Sequence, residues 1–154
     1  MARILIADDD ELIAERASEV LIDAGHACGW VTSAAAAWNC VRRKRPDILL
    51  LDHAMPGESG MTLLGRLRRS PLLYDLPVIM FTALSGEEDE AQAIFAGAQD
   101  FIRKPFEPAE LVRKVTRMLR LRAGRPRHID LRTAVMTPPQ SAESAIAAGA
   151  RRLL

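Results

Sequence analysis

Asp47-Ile48-Leu49-Leu50-Leu51-Asp52 sets four aliphatic residues in a row between two acids. A strand with one wet face alternates apolar and polar residues, and this one does not, so both of its faces are expected to be covered. Arg3-Ile4-Leu5-Ile6-Ala7 reads the same way and runs into Asp8-Asp9-Asp10. Outward from these two runs, short apolar strands alternate with amphipathic helical patterns as far as residue 122. Strands are expected over 3–7, 27–31, 47–52, 77–82 and 99–103. In the first helical pattern Ile13, Ala17, Val20, Leu21 and Ala24 share one face, and Gly25 stops it. The second spans 33–45, ending before Pro46, and the third spans 60–69. The fourth opens on a Ser85/Glu88 capping box and carries Ala91, Ile94, Phe95 and Ala98 on one face. The fifth covers 107–122, with Leu111, Val112, Val115, Met118 and Leu119 inward. Five strands alternating with five helices predict an α/β domain with a parallel sheet, right-handed crossovers and helices on both faces.

The chain has 154 residues, 49% hydrophobic and 27% charged, which is one globular domain plus a modest extension. A net charge of +1 lacks the bulk field of a general nucleic-acid or membrane-surface binder. No apolar stretch approaches the roughly 20 residues of a bilayer span, and the acids at 8–10 do not suit a secretory signal. Cys28 and Cys40 are too few and wrongly spaced for a metal knuckle or a redox pair. A soluble cytoplasmic protein is expected. The domain is taken as 1–122. Residues 123–154 hold five Arg against Asp130 and Glu143, with Pro126, Pro138 and Pro139, and are too short for a second core. They are expected to be a mostly flexible tail, or a short docking helix with Ala142, Ala145, Ile146, Gly149 and Leu153 on one side. So short a helix would need a partner surface.

In an open parallel sheet, functional groups gather beyond the carboxyl ends of the strands. Here those ends supply Asp8-Asp9-Asp10, Asp52, Thr82 and Lys104-Pro105. Asp10 reads as the cap of the first helix. The remaining acids repel one another unless a cation lies between them, and oxygen-only ligands suit Mg²⁺. A carboxylate beside such a metal can attack a phosphoryl group, giving an acyl phosphate. The metal, a lysine and a hydroxyl would stabilise the charge on the transferred oxygens.

At these residues the sequence resembles a known family. Ile4–Asp9, 47–52, Met55-Pro56-Gly57, Phe81-Thr82-Ala83 and 97–106 look like the receiver domain of response regulators, the CheY-like module of bacterial two-component signalling. The resemblance covers about 1–122. It implies a flavodoxin-like, doubly wound five-stranded sheet in the order 2-1-3-4-5 with five helices, of stand-alone type. It also implies the roles of individual residues. Asp52 would accept phosphate from a histidine kinase or histidine phosphotransfer protein. Asp9 and Asp52 would bind Mg²⁺ directly, Asp8 through water, and Ala54 through its carbonyl. Lys104, before a cis Pro105, would pair with Asp52 or the phosphoryl group. Thr82 would move onto that group after transfer, and Phe101 would be the aromatic switch that follows it. Ala54 and Leu84 would border the path of hydrolytic water.

The function so implied is a phosphorylation-dependent signalling switch, not a turnover enzyme: it would catalyse only its own phosphoryl transfer and autodephosphorylation. The fourth helix, fifth strand and fifth helix would form the output face toward an unknown output protein. That face bears Glu87–Glu90 and Arg113, Lys114, Arg117 and Arg120, charges that suit either a homodimer or plain solvation. Two rivals belong to other classes. A Mg²⁺-dependent phosphohydrolase with an aspartyl nucleophile usually needs an acid/base Asp two residues on, where this chain has Ala54. A DNA-binding regulator acting through the basic tail has too few residues for a helix-turn-helix. Neither a membrane nor a nucleic-acid partner is expected. Trp30, Trp38, Phe81 and Phe95 are read as packing. His53 is read as packed or solvated, and Arg42–Arg45, Arg66, Arg68 and Arg69 as solvated helix faces.

Overall fold

All five residues of the strand Ile48–Asp52 are buried, because it is the middle of the sheet. The computed structural model describes residues 1–83, 91–94 and 96–123. The strands are β1 (Arg3–Ala7), β2 (Ala27–Val31), β3 (Ile48–Asp52), β4 (Val78–Thr82) and β5 (Asp100–Arg103). The helices are α1 (Glu11–Asp23), α2 (Ala34–Arg43), α3 (Gly60–Arg69), α4 (91–94) and α5 (Pro108–Ala123). Every pairing is parallel and the order is β2-β1-β3-β4-β5, as expected. The Ser85/Glu88 cap, Leu84, Glu87–Glu90, Phe95 and the segment 124–154 lie outside the described residues.

Successive residues of β3 point to opposite faces. Leu49 and Leu51 join a core with Ala34, Ala37 and Val41 of α2 and Leu63, Leu64 and Leu67 of α3. Ile48 and Leu50 join a second core with Ala14, Ala17 and Leu21 of α1 and Leu111, Val115 and Met118 of α5. Burying each such aliphatic side chain contributes about 1.5–3 kcal/mol, so β3 is firmly held on both faces. Asp10 caps α1, accepting the N–H groups of Leu12 and Ile13 at 3.1 and 3.3 Å. Ser33 and Ser59 cap α2 and α3 in the same way.

Four sequence readings need correction. Trp30 is 38% exposed, because β2 is an edge strand paired only to β1. Arg45 is not on a solvated helix face: α2 stops at Arg43, and the Arg45 guanidinium meets Asp75 at 2.9 Å and the Leu72 carbonyl at 2.8 Å. Arg66 pairs with Glu58 at 2.8 Å and lies 4.3 Å above the half-buried Trp38 ring. Arg68 departs furthest. It donates to the carbonyls of Gly97 (2.6 and 2.8 Å), Leu76 (2.8 Å) and Tyr74 (3.0 Å), and to Gln99 Oε1 (3.0 Å). That fork ties the end of α3 to the approaches of β4 and β5. Gly97 has φ +110°, and a Cβ there would lie 2.9 Å from Arg68 Nε, so the tie requires glycine twice over.

Arg68→Ala should therefore destabilise the protein by about 2–4 kcal/mol, since several part-buried carbonyls lose their donor together. Arg68→Lys should recover less than half of this, because one ammonium cannot fork as a guanidinium does. Urea midpoints of the two variants check both statements.

Candidate functional site

Asp8 follows β1 and is fully buried. Its N–H donates to the Val31 carbonyl at 3.0 Å and its Oδ1 accepts the Asp10 N–H at 2.9 Å, so the side chain has little freedom. Asp52 ends β3, the adjacent strand, and is 5% exposed. Lys104 arrives from the far side of the sheet, just after β5, with its N–H on the Thr82 carbonyl at 2.8 Å and a cis peptide to Pro105. Its ammonium stands 2.5 Å from Asp8 Oδ2 and 3.3 Å from Asp52 Oδ1. Asp9 is exposed, and one carboxylate oxygen from each of Asp8, Asp9 and Asp52 lies within 4.8 Å of the others.

One aromatic ring lies against the lysine and is backed by a second, a feature absent from the sequence reading. The Lys104 ammonium is 5.1 Å from the Phe81 ring centre, and Phe81 packs tilted on Phe106 at 5.3 Å. The sequence reading places Phe81 in the core and in a family motif, and Phe106 in a motif alone. Phe81 gives the ammonium an apolar floor, and Asp8 and Asp52 pair with it.

The charge balance is unfavourable to Asp52. Burial pushes its carboxyl up to about 7, Lys104 opposes this, and the Asp8 charge and an Asp9 hydrogen bond add to the rise. Asp8 and Asp52 thus share one ammonium, with the Asp9 carboxylate close by. An all-oxygen cluster short of positive charge fits a hard divalent cation such as Mg²⁺.

The remaining expected residues lie around this cluster. Thr82 is buried at the end of β4, opposite Arg103 of β5 and one position beyond Phe81, the register partner of Asp52. Ala54 is exposed in the loop after β3. Phe101 is half-buried in β5, opposite Met80 and packed against the α2–α3 core. His53 is half-buried, and its carbonyl accepts the Gly60 N–H at 2.9 Å. Gly60 itself was read only as a helix start. A Cβ there would fall 1.9 Å from the Asp52 carbonyl oxygen, so α3 begins directly against the backbone of Asp52.

A sequence profile of the response regulator receiver domain matches residues 4–116. The chain belongs to the receiver-domain family of response regulators. This receiver is 40% identical over 117 residues to the phosphate regulon transcriptional regulatory protein PhoB of Pseudomonas aeruginosa, a match covering 76% of this chain and 51% of that protein. The chain spans about half the length of the curated relatives it matches. Among solved structures it resembles the receiver domain of NtrX from Brucella abortus, with TM-score 0.71 and 30% identity over 76% of this chain and 98% of that one. It also resembles the chemotaxis response regulator CheY4 of Vibrio cholerae, with TM-score 0.72 and 26% identity over 77% and 98%. The receiver's three-aspartate cluster fits phosphorylation and Mg²⁺ binding. Among the described residues no helix is long and apolar enough to cross a membrane.

Proposed function

We propose that Asp52 accepts a phosphoryl group from a histidine kinase or histidine phosphotransfer protein, and that the modified chain then engages an output partner. The observation supporting this is the buried Asp8–Lys104–Asp52 arrangement at adjoining strand ends. A carboxylate oxygen of Asp52 attacks phosphorus in line, the donor's bond to phosphorus breaks, and an acyl phosphate remains. Asp9, Asp52, the Ala54 carbonyl and, through water, Asp8 would hold Mg²⁺, which when bound neutralises charge on the phosphoryl oxygens. Lys104 exchanges a carboxylate oxygen for a phosphoryl oxygen at little cost, since its apolar floor already directs the ammonium inward. Thr82 then donates its hydroxyl to the group, and Phe101 follows the space Thr82 vacates. The β5–α5 side, with α4, is the proposed output face. Catalysis is confined to the chain's own phosphoryl transfer and the later hydrolysis.

Incubation with a small acyl-phosphate donor and Mg²⁺, followed by intact mass, tests the assignment. The protein should gain one base-labile phosphoryl group, and Asp52→Asn should gain none. A gain in Asp52→Asn, or steady turnover of a simple phosphate ester, would reject the reading.

A further inference from the structure

Phe101 does not sit free in β5. The Lys114 ammonium, from the middle of α5, lies 4.7 Å from its ring centre and also donates to its carbonyl oxygen at 2.5 Å. Two acids hold that ammonium in place, Asp100 from the neighbouring position of β5 and Glu110 from one turn earlier on α5, each at 3.4 Å. The Lys114 side chain is 17% exposed. An ammonium shielded from water, balanced by two carboxylates and facing a ring is where cation–π attraction is strongest. The sequence reading counted Lys114 among the solvated or intermolecular charges, whereas its charge is spent inside one chain.

We infer that Lys114 is a positioning residue that latches Phe101 in the conformation described here, and that Phe101 cannot turn without giving up the cation–π contact that Lys114, held by Asp100 and Glu110, makes with its ring. This deepens the proposed function, because it rests on Phe101 being the switch aromatic. Ring movement removes the face of the π system from the ammonium, which keeps its bond to the Phe101 carbonyl and its two acids. One side-chain rotation thereby uncovers an ammonium at the surface a partner would read. A latch of this kind biases the switch toward its resting state.

The experiment uses the full chain and reads two things. In phosphate-free protein, the ring current of Phe101 should shift the Lys114 ε-methylene resonances upfield, and Phe101→Leu should abolish that shift. Lys114→Met keeps the length and the apolar stem but removes the charge. It should accelerate phosphorylation by a small acyl phosphate about threefold to tenfold, as the latched state becomes less populated. Lys114→Arg should stay close to the parent. Asp100→Asn with Glu110→Gln should move in the same direction as Lys114→Met without touching either latch group. In phosphorylated parent protein the upfield shift should disappear. Persistence of the shift after phosphorylation, or equal rates in the Met and Arg variants, overturns the latch. Intact mass reports separately whether Asp52 takes phosphate at all, and its failure would defeat the switch reading while the resting-state contact is still decided by the Lys114 resonances.

Discussion

Gly60→Ala is expected to cost the protein more than about 3 kcal/mol of stability and to remove phosphoryl acceptance at the same time. The added Cβ would meet the Asp52 carbonyl oxygen at 1.9 Å, its carbon at 2.9 Å and the His53 Cα at 3.2 Å. All three are backbone atoms, so no rotamer change relieves the clash. Either the end of β3 moves, which disturbs the most buried strand, or the start of α3 moves, which breaks the Gly60–His53 hydrogen bond and strains the Ser59 cap. Both routes displace Asp52. Gly65→Ala is the control: its nearest neighbour is Nη1 of the flexible Arg69 at 3.3 Å, and alanine is the better helix former by about 1 kcal/mol. Chemical denaturation of both variants, with phosphoryl incorporation measured by mass, decides the point. A Gly60→Ala protein within 1 kcal/mol of the parent would show that α3 can shift without penalty.

The second large effect runs the other way. Asp52→Asn should stabilise the metal-free protein by on the order of 3–4 kcal/mol at pH 8. In the folded chain the Asp52 carboxyl titrates near about 7, whereas an unfolded Asp titrates near about 3.9. Between those values the folded state binds more protons than the unfolded one, so stability falls as pH rises and is flat above about 7. Asparagine has no such dependence at this position. The advantage of the variant should therefore shrink by about 2–3 kcal/mol on going from pH 8 to pH 5. Urea midpoints in the presence of a chelator measure it. An advantage equal at both pH values would mean that burial and Asp8 do not burden the charged form. Adding Mg²⁺ at pH 8 should stabilise the parent far more than the variant, since only the parent presents the full carboxylate set.

The central sheet and the acidic cluster were legible because their signals are carried by side-chain type at fixed places. Continuous aliphatic runs marked β1 and β3, and Asp8, Asp9, Asp52, Thr82 and Lys104 each stand where a strand stops. Arg68 was not legible, because most of its partners are backbone carbonyls, which no residue letter announces. Gly60 was missed for a related reason: what demands glycine is the main chain of Asp52, eight positions earlier and brought close only by the loop's return. Lys114 looked like one more cation on a basic helix until Phe101 and its acids were seen around it. Trp30 is different. The expected strand order already put β2 at an edge, and an aromatic there need not be covered on both sides. That conclusion was available and was not drawn.

The sheet has a gradient of stiffness across it. β3, like β4, is bonded on both flanks and buried along its whole length, so the Asp52 carboxylate is mounted on a stiff part of the sheet. β5 has four residues, a neighbour on one flank only, and partial exposure. A displacement applied at the sheet's centre is therefore carried by the rigid strand and absorbed at the compliant margin. In mechanical terms β3 is the fixed anvil and the two edge strands, β2 and β5, are the springs, and a small push at Asp52 is spent where yielding is easiest. Deformation absorbed at the β5 margin falls on Phe101, which stands at the rim of the α2–α3 core.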